Sequence, residues 1–257
     1  WTIAAAATDR ATADRLTPYL LPGLQADPSA DPDDERLRLV TGFNDIFVTI
    51  GLVMFLGALG YLLSSLGGAL ASLAVAGAAW GLAEFFTRIR RMALPSIVLL
   101  LAFVASIFAA VPALFDGGSR SPFDIGIEPL PMMLAGVAAA LAAWLHWLRF
   151  HVPITVAAGV GALAVIVLSV LARPAPDLLQ THPLPVFLPL GLAIFALAMW
   201  FDASDLKRQT RRTDIAFWLH LLAAPIIVHP ILTTISGGGE STALQAAWVI
   251  GIFLLLA

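Results

Sequence analysis

Glu84 is followed four residues later by Arg88, close to the end of an apolar run long enough to be a membrane helix. Residues at i and i+4 share a helix face. Glu84 is also the one acid set clearly inside such a run, about one turn from its basic end. A carboxylate in that position is by default a candidate for binding a proton or a cation. The competing reading is a structural ion pair of Glu84 with Arg88, because near an interface both side chains can reach toward water. The spacing favours the pair.

The second unusual segment is 215–235, which carries Pro225 and Pro230 together with His220 and His229. Each proline lacks an amide proton, so the carbonyls of Leu221 and Ile226, four residues earlier, lose their helical donors. A freed carbonyl in a bilayer needs protein or water as a partner. At about 100° per residue, His229, Thr233 and Pro225 fall on one stripe with Trp218 and Leu222, and His220 faces nearly the opposite way. His229, Thr233, Pro225, Pro230 and Glu84 are therefore the candidates for a solute pathway or binding site. The plainer alternative is a packing helix kinked by its prolines. Either way, the two prolines predict a kink or an unwound stretch between Leu221 and Pro230.

Little else in the chain points to chemistry. His146 and His220 both lie toward the basic ends of their spans, and a facing pair of that kind can hold a haem axially. Five histidines in all make this a minor reading, and no cofactor or metal is expected. His151 and His182 sit in turns. With no cysteine, disulfides, Cys-ligated zinc, iron–sulfur clusters and thiol nucleophiles are excluded. There is no Gly-rich phosphate loop, no Ser/His/Asp arrangement and no basic nucleic-acid patch, so neither an enzyme nor a nucleic-acid partner is expected.

The elements that would hold these residues are transmembrane helices. Of 257 residues, 60% are hydrophobic and 12% charged, where soluble domains carry roughly a quarter charged residues. Spans read as 46–63, 69–87, 94–115, 130–148, 152–172, 184–201, 215–235 and 243–257, the last expected to run on beyond Ala257. Each complete span is long enough for a hydrocarbon core of roughly 30 Å. Their continuous apolar character suits helices and not the alternating strands of a membrane barrel. Ahead of them, residues 1–45 form a polar lead-in. Within it, Asp31, Pro32 and the acids Asp33 to Glu35 read as the start of a short interfacial helix.

Of the 14 Lys and Arg residues, only Arg120 and Arg173 fall in one alternate set of gaps between the spans, and the other twelve share the opposite set. By the positive-inside rule the N-terminus is cytoplasmic. Trp80, Trp144, Trp147, Trp200 and Trp218 lie toward the same end, as an interfacial belt would. Pairs of small residues, Gly57 with Gly60 and Gly77 with Gly81, predict faces where another helix comes close.

The reading is an all-α, polytopic transmembrane bundle of about eight spans, an integral protein of a bacterial-type plasma (inner) membrane. Its best functional match is a permease or channel for a small solute. The alternative is a structural or assembly subunit of a larger membrane complex, with other membrane subunits or further copies as partners beside the lipid bilayer. The scarcity of charge within the spans argues against coupling to protons or sodium through buried carboxylates.

Overall fold

The computed structural model describes residues 32–115, 128–174, 178–205 and 211–235, with side chains from Phe43 to Leu232. Among the described residues every regular element is helical. The helices are α1 (Pro32–Leu63), α2 (Gly68–Ala83, continued by a π-helical stretch, Glu84–Ile89), α3 (Ala93–Phe115), α4 (Pro129–Phe150), α5 (Ile154–Ala172), the short α6 (Leu178–Thr181), α7 (Pro183–Ala203) and α8 (Arg211–Ile235). Seven of these are long and apolar enough to cross a membrane. The chain is an all-α integral membrane protein, and the expected spans recur within a few residues at each end. The expected span 243–257 and residues 1–31 lie outside the described residues.

One difference concerns the start. A short lead-in helix followed by a separate span was expected, and a single helix of 32 residues runs from Pro32 through Leu63. Thr41, Gly42 and Asn44 are weak helix formers, but with no proline among them they do not interrupt a helix that the apolar stretch beyond sustains. The chain divides into two units, residues 1–47 and residues 48–257.

Within the second unit the helices form three consecutive hairpins, α2 with α3, α4 with α5 and α7 with α8, joined where α3 packs on α4 and α5 packs on α8. Direct contact between α3 and α5 is sparse. The buried positions are mostly alanine: Ala79 and Ala83 on α2, Ala139 and Ala143 on α4, Ala157 and Ala164 on α5, Ala198 on α7 and Ala223 on α8. Lipid tails are as apolar as leucine, so helix association here depends on close packing, and small side chains permit it.

The closest approaches are at glycines. A Cβ at Gly136 of α4 would stand 2.8 Å from Ile166 Cγ1 and 3.0 Å from the Ala162 carbonyl on α5. A Cβ at Gly191 of α7 would stand 2.6 Å from Ile227 Cγ1 and 3.1 Å from the Ile227 nitrogen on α8. The expected close faces differ: Gly57, Gly77 and Gly81 meet nothing within 4 Å, and Gly60 meets only Val75 at 3.4 Å. Spacing alone finds small residues without saying which of them faces a neighbour.

Candidate functional site

The charged residues of the Arg-rich end are drawn together by the way α2 ends. Its last turns widen into π geometry, with the Arg90 amide donating to the Phe85 carbonyl five residues back, at 3.0 Å. Insertions of this kind re-aim side chains and recur at functional sites. Arg88 Nη1 donates to Glu84 Oε2 at 3.0 Å, which is the pair expected from the i,i+4 spacing. A second arginine joins from α4. Arg149 Nε donates to Glu84 Oε1 at 2.7 Å and its Nη2 to Oε2 at 3.0 Å. That fork engages both carboxylate oxygens and ties α2 to α4, whereas Arg88 is a neighbour on the same helix. Glu84 is one-third exposed, Arg149 and Arg88 more so, so the cluster sits at the rim of the bundle.

Beside it the turns of the first two hairpins are tight and use non-glycine residues in the left-handed region, Arg91 at φ 53° and His151 at φ 54°. The His151 amide closes α4 by donating to the Trp147 carbonyl at 3.1 Å, and the Met92 amide donates to the Phe86 carbonyl at 3.1 Å after α2. Left-handed backbone at residues other than glycine costs about 1–2 kcal/mol, and such residues collect at functional sites more often than elsewhere. Here both flank one cavity of about 370 Å³, lined by Thr87, Arg91, Met92, His151, Arg211, Asp214 and Trp218, among others. The first residues of α3 and α5 form its inner wall. Arg211, at the start of α8, donates from Nη1 to the His151 carbonyl at 3.3 Å, which fixes α8 against the α4–α5 turn. The Ser96 hydroxyl in the wall is taken up by the Met92 carbonyl. The Thr87 hydroxyl oxygen is buried with no partner among the described residues.

His146 is fully buried in a cage of rings: Phe150 at 4.5 Å between centroids, Trp80 at 6.0 Å and Phe103 at 6.1 Å. Its Nδ1 lies 3.4 Å from Thr155 Oγ1, and its Nε2 has no partner among the described residues. His220 packs edge-on against Phe195 of α7 at 5.2 Å. The two rings considered as a haem pair thus keep different company, His146 between α2, α3 and α4, His220 with α7. Among the described residues no group of three or more His, Cys, Asp or Glu is placed to hold a metal. His182 Nδ1 lies 2.9 Å from Thr181 Oγ1 at the start of α7.

Of the kink or unwinding expected in the proline segment, the unwinding is absent. Helix α8 runs unbroken from Arg211 to Ile235 through both prolines, with no unwound stretch. Its close packing on α7 at Gly191, and the contact of Leu222 with the Gly161 position of α5, hold it helical on both sides of Pro225. Pro225 and His229 are exposed on the outside of this bundle, and Pro230 is buried. The Thr233 side chain lies outside the described residues. Of the stripe named for a solute pathway, Trp218 lines the cavity at the Arg-rich end, and Pro225 and His229 are exposed further along α8.

Of the expected tryptophan belt, Trp144 and Trp200 are exposed. Trp80 stacks on the His146 cage, and Trp147 and Trp218 pack into the core around α8. Interfacial placement by depth does not fix which way a ring turns.

Sequence reasoning missed Arg149 as the second partner of Glu84, and missed Arg91 and Arg211 as neighbours across a cavity. All three had been absorbed into the charge bias of their loops. The signal available was their position at the ends of spans, where short connections bring neighbouring helices together. No known protein family, curated protein or solved structure matches this chain.

Proposed function

We propose that this chain is a non-enzymatic subunit of a larger membrane assembly, packing its open helix faces against other membrane chains or further copies of itself. The observation that carries this reading is the unfilled small-residue surface of the first hairpin and of α1. Along residues 48–63 of α1 only Leu52 and Leu56 are buried, and among the described residues nothing stands within 4 Å of a Cβ built at Gly57, Gly77 or Gly81. Lipid covers an exposed leucine as well as protein does. A backbone laid bare by glycine gains instead from the close approach of another helix. The basic bias of the loops supports an inner-membrane setting with the Arg-rich end in the cytoplasm.

A permease or channel for a small solute is the second reading, supported by the helix count and by the cavity at the Arg-rich end. The outward-facing Pro225 and His229 weigh against it. Purification of the tagged chain from its native membranes at native expression separates the two. Stoichiometric membrane partners, or a stable homo-oligomer without solute flux in vesicles, support the assembly role. A chain that purifies alone and carries solute flux in vesicles overturns it.

A further inference from the structure

A second hollow lies beyond the floor of the cavity at the Arg-rich end. Ile97 of α3 and Ile154 of α5 line the cavity, and one turn further along each helix begins the second, apolar hollow of about 330 Å³. Leu101, Val104 and Phe108 form one wall of that hollow, and Ala158, Ala162 and Val165 form the other. On α3 the series Ile97, Leu101, Val104, Phe108 is a single stripe at three- and four-residue spacing, and on α5 so is Ile154, Ala158, Ala162, Val165. The two hollows therefore lie in succession along one α3–α5 seam, with Ile97 and Ile154 packed between them. It exists because α3 and α5 barely touch, while α4 packs on both and supplies Ala139 between the walls. The eleven-residue rise from Ile97 to Phe108 is about 16 Å at 1.5 Å per residue, close to half of a hydrocarbon core of roughly 30 Å.

The polar part of the seam has the opposite chemistry. Arg91 and Arg211 border it, with Asp214 as the one acid among its lining residues. The first turns of α3, α5 and α8 all contribute residues to it, each bringing the positive end of a helix dipole. A cationic cup in the headgroup zone, with an apolar groove one turn further along the same two helices, is complementary to one kind of molecule.

We propose that the α3–α5 seam holds one phospholipid, its phosphate in the cup against Arg91 and Arg211 and one acyl chain along the groove between Leu101 and Phe108. Asp214 is placed for a hydroxyl or amine donor of the headgroup. Because lipid tails compete equally for an apolar groove, retention depends on the phosphate, and the groove selects for a molecule that carries a chain.

The test is native mass spectrometry of the full chain released from detergent, with extraction and headgroup analysis of what remains bound. Two variants accompany it: Arg91→Asn, which removes the charge but keeps a residue tolerant of left-handed backbone, and Ala158→Phe, which fills the groove. The expected result is one retained phospholipid on the wild-type chain, with occupancy falling about tenfold or more in either variant, the loss expected for one charge-assisted hydrogen bond or a blocked chain. Monodispersity and an unchanged thermal midpoint show that both variants fold. Addition of inorganic phosphate at millimolar level should leave the retained lipid in place. A wild-type chain free of phospholipid overturns the proposal, as does a variant that keeps full occupancy. Phosphate binding that Ala158→Phe leaves intact would make the cup a site for a free anion and overturns it equally.

Discussion

Glycine gives the sharpest contrast between single residues in this chain. At Gly191 a methyl group would stand 2.6 Å from the Ile227 side chain and 3.1 Å from its backbone nitrogen, so α7 and α8 must separate to admit it. At Gly77 there is open space. Gly191→Ala is expected to lower stability by roughly 1–3 kcal/mol, as overpacking does. Gly77→Ala should be neutral or stabilise by about 0.5–1 kcal/mol, because alanine suits a helix interior better. Thermal unfolding in detergent, followed by fluorescence or by aggregation, checks both. Glu84 makes a second contrast. Its pairing with Arg88 was legible from i,i+4 spacing, but the fork from Arg149 lies 65 residues away and no local pattern reveals it. Glu84→Gln should lower the thermal midpoint modestly, as expected for a partly exposed cluster. In a double-mutant cycle, Glu84 should couple more strongly to Arg149 than to Arg88, since the former bond is bidentate and joins two helices. Equal coupling would show that the bridge between α2 and α4 adds nothing.

At the scale of elements, the sequence was informative where hydrophobic length decides and silent where packing decides. The seven described spans follow from runs of Leu, Ala, Val and Ile too long for anything but membrane helices. What the prolines of α8 do depends on α7 and α5, which grip the helix at Gly191 and Gly161 and keep it continuous. The left-handed turns at Arg91 and His151 were equally hidden, because neither residue is a glycine that would announce them. Pro225 is exposed and breaks a donor for the Leu221 carbonyl without serving a buried contact. Pro225→Ala restores that donor in a helix that is already continuous through this position, and should raise stability by about 1–3 kcal/mol. Pro230 is buried, so the same change there leaves a cavity that offsets the gain. A fall in stability for Pro225→Ala would mean that the ring is packed in the membrane by something other than lipid.

At the scale of the whole molecule, three hairpins account for one another's burial: α3 is covered by α2 and α4, α5 by α4 and α8, and α8 by α7. The face of α2 that bears Gly77 and Gly81, and most of α1 from residue 48 onward, have no such cover among the described residues. Membrane chains that work alone can leave leucine and phenylalanine facing lipid at no cost, and Phe55, Tyr61 and Leu73 here are of that kind. Glycines on the same surface are different, since they give up helix stability and gain nothing from lipid. Their contribution is recovered only if a helix beyond those described lies against them, and the assembly reading takes that helix from another chain or another copy. The expected outcome follows from that asymmetry. Gly77→Leu places a large side chain where this fold has open space, so the isolated chain should keep its thermal midpoint. The same substitution should deplete membrane partners, or dissociate the homo-oligomer, when the chain is purified from native membranes. Gly136→Leu is the contrasting control: it strikes the contact between α4 and Ile166 of α5 and should unfold the chain itself. If Gly77→Leu keeps both stability and every partner, the open face meets only lipid, and the assembly role loses the observation on which it stands.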